Sequence, residues 1–186
     1  YKKTPSKLVK LLTCGSIIER KKYDYLINEI QEINSIELHI IGDTTRETKY
    51  SAKIKKQIIE NKLTKKIILH GKVSQIKLEK LYSQCDFYIS TSKYEGFGMS
   101  LANASISKLP IISYDTSTIK KTIGKSGVLY FNNFKKGTLQ KLILNNCFNK
   151  EIYKKLKKSM TKNKYLTNNQ SAKLFIKAII ETKLVV

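Results

Sequence analysis

The residue types and spacing best suited to chemistry fall in one stretch, Ser92-Lys93-Tyr94-Glu95-Gly96-Phe97-Gly98, with Met99 to Asn103 directly after it. Gly96 and Gly98 let the main chain approach a ligand closely. A helix opening near Gly98 would turn free N–H groups and the positive end of its dipole toward phosphate. Glu95, at the loop tip, can accept charge-assisted hydrogen bonds from sugar hydroxyls. Asn103 lies eight residues further on, about two turns into the same helix, and can face the same crevice. Together these features suit a sugar diphosphate. A plainer reading makes the glycines a turn and Glu95 a solvated loop acid.

Such a loop works only if rigid elements hold it. Apolar runs of strand length recur at 8–14, 37–41, 66–70, 86–91, 110–114 and 127–131. Helical periodicity fills 23–34 (Tyr25, Leu26, Ile30 and Ile33 on one face), 48–62, 99–108, 117–123, 135–145, 150–164 and 170–183. Ser74 reads as the N-cap of a further helix with Ile76, Leu78, Leu81 and Tyr82 turned inward. Strands that are apolar almost throughout, each followed by a helix, imply a doubly wound α/β domain. Its parallel sheet of about six strands would be covered by helices on both faces. Ligands then bind beyond the carboxyl ends of the strands, after Cys14, Ile41, Leu69 and Thr91.

Three other loops fall at such ends. Gly15 to Lys22 lacks the GxGxxG spacing of a dinucleotide site and the GKS/T ending of a P-loop. Gly42-Asp43-Thr44 and Gly71-Lys72-Val73-Ser74 read as readily as turns as they do as sites. The loop carrying Glu95 is the informative one.

Composition narrows the function classes. A chain of 186 residues suits one domain, so 1–186 is read as a single unit. No apolar run reaches membrane-spanning length, and the basic start, Tyr1 to Lys7, leads into a strand rather than a signal core. The expected location is the cytoplasm. Net charge is +22, yet only Arg20 and Arg46 are arginines and the lysines are spread along the chain. Base readers favour the arginine fork, so specific nucleic-acid binding is not expected. Cys14, Cys85 and Cys147 stand apart and read as reduced core residues, and His39 and His70 as structural. Ile152, Leu156 and Ser159/Met160 form an apolar seam on a helix bearing Lys154, Lys155, Lys157 and Lys158. It reads as core-facing with a solvated back, the alternative being peripheral contact with the inner face of the cytoplasmic membrane. No metal-ligand cluster, Ser/His/Asp arrangement or glycosidase carboxylate pair is convincing.

Residues 92–104 and the following Ser107-Lys108-Leu109-Pro110-Ile111 resemble a signature of the GT-B glycosyltransferases of the family 4 type, in their C-terminal, donor-binding domain. That signature runs approximately S-x-x-E-G-F-G-x-x-x-x-E-A, then a small residue, G-x-P-V/I. Gly15 to Leu26 resembles the family's G-R-x-x-x-x-K-G-x-x-x-L segment, and 38–43 its L-x-I-x-G-x. Segment 68–73 resembles its V-x-F-x-G-x-V, and 81–86 its L-Y-x-x-A-D. The likeness covers roughly 8–146, in order and spacing.

The resemblance implies a domain that binds a nucleotide sugar, UDP- or GDP-linked, for polysaccharide or glycoconjugate assembly. Glu95 and Lys21 would be its catalytic residues, Glu95 on sugar hydroxyls and Lys21 on the diphosphate leaving group. Gly15, Ser16, Gly96, Phe97, Gly98, Met99, Leu101 and Asn103 would bind the donor, with Lys72 and Val73 in the base-binding loop. No cofactor or metal is implied, most members being retaining and metal-free. A glycan or lipid-linked acceptor would sit on a missing N-terminal domain, against which the helices within 150–183 can return. Three positions depart from the pattern. Ser16 replaces the arginine that accompanies Lys21, leaving Arg20 or Lys22 to supply its charge. Asn103 replaces a glutamate, and at the third position Lys22, with Tyr23 beside it, replaces the usual glycine and its neighbour. The alternative is a catalytically silent module that binds a partner protein or a glycan.

Overall fold

The structure is a computed structural model that describes residues 8–160. Six short strands form one parallel sheet: β1 (Val9–Cys14), β2 (Ile36–Ile41), β3 (Ile67–Gly71), β4 (Phe87–Ser90), β5 (Ile111–Tyr114) and β6 (Val128–Phe131). Their spatial order is β3-β2-β1-β4-β5-β6, so the direction of winding reverses between β1 and β4. That reversal opens a crevice at the carboxyl ends of those two strands, the general binding position of such sheets.

Among the described residues seven α-helices connect or follow the strands: α1 (Tyr23–Ile30), α2 (Thr48–Glu60), α3 (Gln75–Gln84), α4 (Met99–Ile106), α5 (Ser117–Ile123), α6 (Thr138–Asn146) and α7 (Lys150–Met160). Alternation along each strand sends side chains to two cores. Leu11, Leu38, Ile40, Phe87, Ile89 and Ile112 meet α1, α2 and α6 through Leu26, Ile54 and Ile143. Leu12, Ile41, Tyr88 and Ile111 meet α3, α4 and α5 through Leu81, Ala104 and Ile119. The fold is therefore the doubly wound α/β architecture expected.

Some details differ from expectation. Ile76 is exposed, because Leu78, Leu81, Tyr82 and Cys85 make the inward face of α3 and Ile76 lies on the opposite side. Helix α1 stops at Ile30, and α6 begins at Thr138 rather than Lys135, behind Gly137 with φ of 83°. Ser74 does cap α3, its hydroxyl accepting from the Lys77 N–H at 3.4 Å. Leu156 of α7 packs on the larger core beside Tyr153 and Met160 is buried in the smaller one, so the seam faces inward at these two positions, while Ile152 is half-buried. The expected helix at 170–183, and 150–164 beyond Met160, lie outside the described residues. No described helix is long and apolar enough to cross a membrane.

Candidate active site

The crevice between β1 and β4 is built by three segments. Gly15 leaves β1 and its main chain lies directly against Gly42, which follows β2. A Cβ at Gly42 would collide with the Gly15 carbonyl, so glycine is required there. A turn of 3-10 helix, Glu19–Lys21, follows and leads into α1 through Lys22 at φ of 54°. Position 22 thus needs left-handed backbone, which explains why glycine is usual there in the motif; a lysine adopts it at a cost of about 1–2 kcal/mol. Thr91, directly after β4, donates its hydroxyl to the Lys21 carbonyl at 2.7 Å, and so ties the first loop to the third.

The third segment is the Glu95 loop. Gly98 has φ of 77° and precedes α4 without a side-chain cap or any acidic residue in the first turn. The first N–H groups of α4 are therefore not taken by a capping side chain, and the positive end of the helix is not offset.

These segments, with Tyr82 of α3, border an open cavity of about 460 Å³ lined by Cys14, Gly15, Lys21, Tyr82, Glu95, Phe97, Gly98, Met99, Ser100 and Asn103. Lys21 Nζ sits 2.5 Å from Glu95 Oε1, and both side chains are nearly buried. Burial pushes the Glu95 carboxyl upward, but Lys21 and then Arg20, through hydrogen bonds and charge, outweigh it and hold it below the usual carboxylate range. The carboxylate is thus ionised at neutral pH. Such a pair, next to an uncapped helix start, offers an acceptor for hydroxyls, a cation for phosphate and amide donors, all at one opening.

Seven of the sequence-derived candidates meet at this cavity: Gly15, Lys21, Glu95, Phe97, Gly98, Met99 and Asn103. The others stand elsewhere. Ser16 is half-buried in the turn beside Gly42, and Gly96 is exposed with open space around it. Leu101 is buried in the smaller core, so its side chain serves packing. Lys72 is exposed and pairs with Asp43 at 2.9 Å, joining the loops after β2 and β3, while Val73 packs against the smaller core. Arg20 does not supply the charge that Ser16 lacks within the cavity. Together with Lys22 it lines an adjoining groove, and its Nη1 reaches Glu95 Oε2 at 3.2 Å from that side.

Three lining residues were not foreseen. Cys14 is partly buried and packs against the smaller core, as expected of a core cysteine, but it also borders the cavity, whereas Cys85 and Cys147 are buried. Burial raises its thiol more than Lys21 lowers it, which leaves it protonated at neutral pH. Its place as the last residue of β1 was the available signal. Tyr82 and Ser100 complete the lining, the Tyr82 hydroxyl donating to the Ser100 carbonyl at 3.0 Å. Among the described residues no group of three or more His, Cys, Asp or Glu side chains is placed to hold a metal ion.

Comparison with known proteins bears on the family and the fold. The sequence model of the family described as glycosyl transferases group 1 matches residues 2–167. A Streptococcus agalactiae relative, the UDP-N-acetylglucosamine–peptide N-acetylglucosaminyltransferase GtfA subunit, is 35% identical over 109 residues, which cover 59% of this chain and 21% of the relative. The chain spans between 20% and 32% of the length of the curated relatives it matches. Among solved structures, Anabaena Alr3699/HepE in complex with UDP and glucose superposes with a TM-score of 0.72 at 16% identity, over 83% of this chain and 42% of that one. The C-terminal domain of a Francisella tularensis glycosyl transferase group 1 family protein, LpcC, gives 0.72 at 16% identity and covers 83% of each chain. With a family match across nearly its whole length and the GT-B fold of its structural neighbours, the chain belongs to the group 1 glycosyl transferases.

Proposed function

We propose that this chain is the donor-binding part of a glycosyltransferase, holding a UDP-sugar between Lys21, Glu95 and the start of α4 for transfer to an acceptor carried on another domain. The observation that carries the reading is the Lys21–Glu95 pair at a cavity bordered by the uncapped end of α4. Uridine diphosphate is favoured by the name of the S. agalactiae relative and by the UDP bound in the Anabaena structure. In this reading the diphosphate lies against the α4 amides and draws Lys21 away from Glu95. The released carboxylate oxygen then accepts from sugar hydroxyls, and Asn103 faces the ribose. As the glycosidic bond to phosphate breaks, negative charge grows on the departing diphosphate, where Lys21 and the helix end stabilise it. The acceptor belongs to glycoconjugate assembly, and the protein works in the cytoplasm. No metal is needed in this scheme, because the charge is met by Lys21 and backbone dipoles.

Calorimetric titration with UDP, UDP-glucose and UDP-N-acetylglucosamine tests the site. Glu95→Ala should weaken the intact donor roughly tenfold to a hundredfold, the worth of one or two charged hydrogen bonds. Free UDP should bind that variant as well or better, since Lys21 is released. Lys21→Ala should weaken both ligands. Absence of saturable binding by every nucleotide ligand in the wild-type protein would sink the reading and favour a silent module.

A further inference from the structure

We propose that Arg20 is a positioning residue: bracing the far side of the Glu95 loop, it keeps that carboxylate aimed at the donor sugar while Lys21 leaves for the diphosphate. The inference rests on the donor-site reading above. Its basis is a contact set that links residues more than seventy positions apart. Arg20 Nη1 donates to the Tyr94 carbonyl at 2.7 Å, to Ser92 Oγ at 3.3 Å and to Glu95 Oε2 at 3.2 Å. Its guanidinium carbon lies 5.4 Å from the Tyr94 ring centroid. Ser92 is fully buried, and its hydroxyl donates to the same Tyr94 carbonyl at 2.9 Å. The main chain repeats the tie, the Lys93 N–H donating to the Arg20 carbonyl at 2.9 Å.

Arg20 and Lys21 thus divide the carboxylate between them. Lys21 takes Oε1 from within the cavity, and Arg20 takes Oε2 from the neighbouring groove. A ligand seated in the cavity competes for Lys21 but does not line up against Arg20. Desolvation alone favours the protonated acid, so a carboxylate that loses Lys21 needs the second cation to remain charged. Fixing the loop before the donor arrives also removes an ordering cost from binding.

The test compares wild type, Arg20→Gln and Arg20→Lys, titrated with UDP and with UDP-glucose and UDP-N-acetylglucosamine from pH 5 to 8. Arg20→Gln should weaken the intact donor about tenfold and free UDP less than about twofold. The acid limb of donor affinity should move to higher pH in that variant. Arg20→Lys, which keeps a cation with several donors, should restore most of both effects. An unchanged ratio of donor to UDP affinity in Arg20→Gln, with an unmoved acid limb, overturns the proposal. So does an equal loss of both ligands that Arg20→Lys fails to repair. Should Arg20→Gln not fold, as judged by its thermal transition, Ser92→Ala removes the buried anchor and must give a smaller loss of the same selectivity, or the proposal fails. Wild-type protein that binds no intact donor would overturn the donor-site reading instead, which keeps the two failures distinct.

Discussion

Glu29 shows how a single residue can set an element far away in sequence. Its side chain is almost wholly buried, and its two oxygens accept from the N–H groups of Gly137, Leu139 and Gln140 at 2.7, 2.9 and 3.0 Å. A carboxylate on the first N–H groups of α6 satisfies donors that the helix cannot, and it complements the helix dipole. Glu29→Gln turns an amide N–H₂ toward those donors and should lower unfolding free energy by about 3 kcal/mol, measured by urea denaturation. A loss below about 1 kcal/mol would show that water or a shifted side chain replaces these bonds. Nothing at positions near 29 signals this role, since its partners lie 108 to 111 residues away. The same limit applies at the site. That Glu95 and Lys21 come together is legible from the motif stretches that carry them, while the direction of Arg20 depends on contacts across more than seventy residues. Leu101 shares the motif stretch but faces the core, a distinction that only the rotation of α4 decides.

Strands were the most legible elements, because buried parallel strands must be apolar on both faces and short enough to end at glycine. Gly15, Gly42 and Gly71 each follow or close such a run. Helix ends were less legible where a distant partner sets them, as Glu29 does for α6, and helix faces where one apolar residue lies off the stripe, as Ile76 does. Between β2 and β3 the structure adds a polar link that sequence gave only as two structural histidines. His39 Nδ1 and His70 Nε2 are 2.9 Å apart with the ring planes 14° from parallel, so the imidazoles meet edge to edge, and His39 Nε2 meets Glu37 Oε1 at 2.8 Å. Lys10 of β1 pairs with that carboxylate at 3.3 Å. Burial, then His39, then Lys77 of α3 push the His70 imidazole below its ordinary value of 6.5. The unfolded chain therefore binds more protons than the folded one as pH falls through about 6.5. His70 adds full stability above that pH, and its contribution is lost on acidification toward its lower folded value. Urea unfolding at pH 7.5 and 5.5 should show a larger loss for wild type than for His70→Gln. Equal losses would remove His70 from the acid response. The window stays above the range in which Asp24, Glu37 and Glu95, all held below their ordinary values, take up protons.

At the scale of the whole molecule, the reversal of winding between β1 and β4 places the site, and the charge sets the conditions in which it works. Thirty-six basic side chains face fourteen acidic ones. Several of those acids are already engaged with lysines, as in the Lys53–Asp24, Lys72–Asp43 and Lys120–Asp115 pairs at 3.0, 2.9 and 2.7 Å. Exposed pairs of this kind contribute little individually, whereas the net surplus acts over the entire surface and opposes compaction. In the proposed function the same surplus would raise the local concentration of anionic nucleotides around the protein. Salt separates the two influences, since the Debye length falls from about 10 Å at 0.1 M to about 3 Å at 1 M. Screening should relieve self-repulsion and raise the thermal midpoint by about 2–4 °C between low salt and 0.5 M sodium chloride, equivalent to about 1 kcal/mol for a chain of this size. UDP affinity should fall over the same range, because long-range attraction to the diphosphate is screened as well. Calorimetry without and with UDP, repeated across the salt series, reads both quantities in one experiment. A midpoint that declines with salt would mean that specific ion pairs outweigh the net surplus, and would overturn the expectation of relieved self-repulsion.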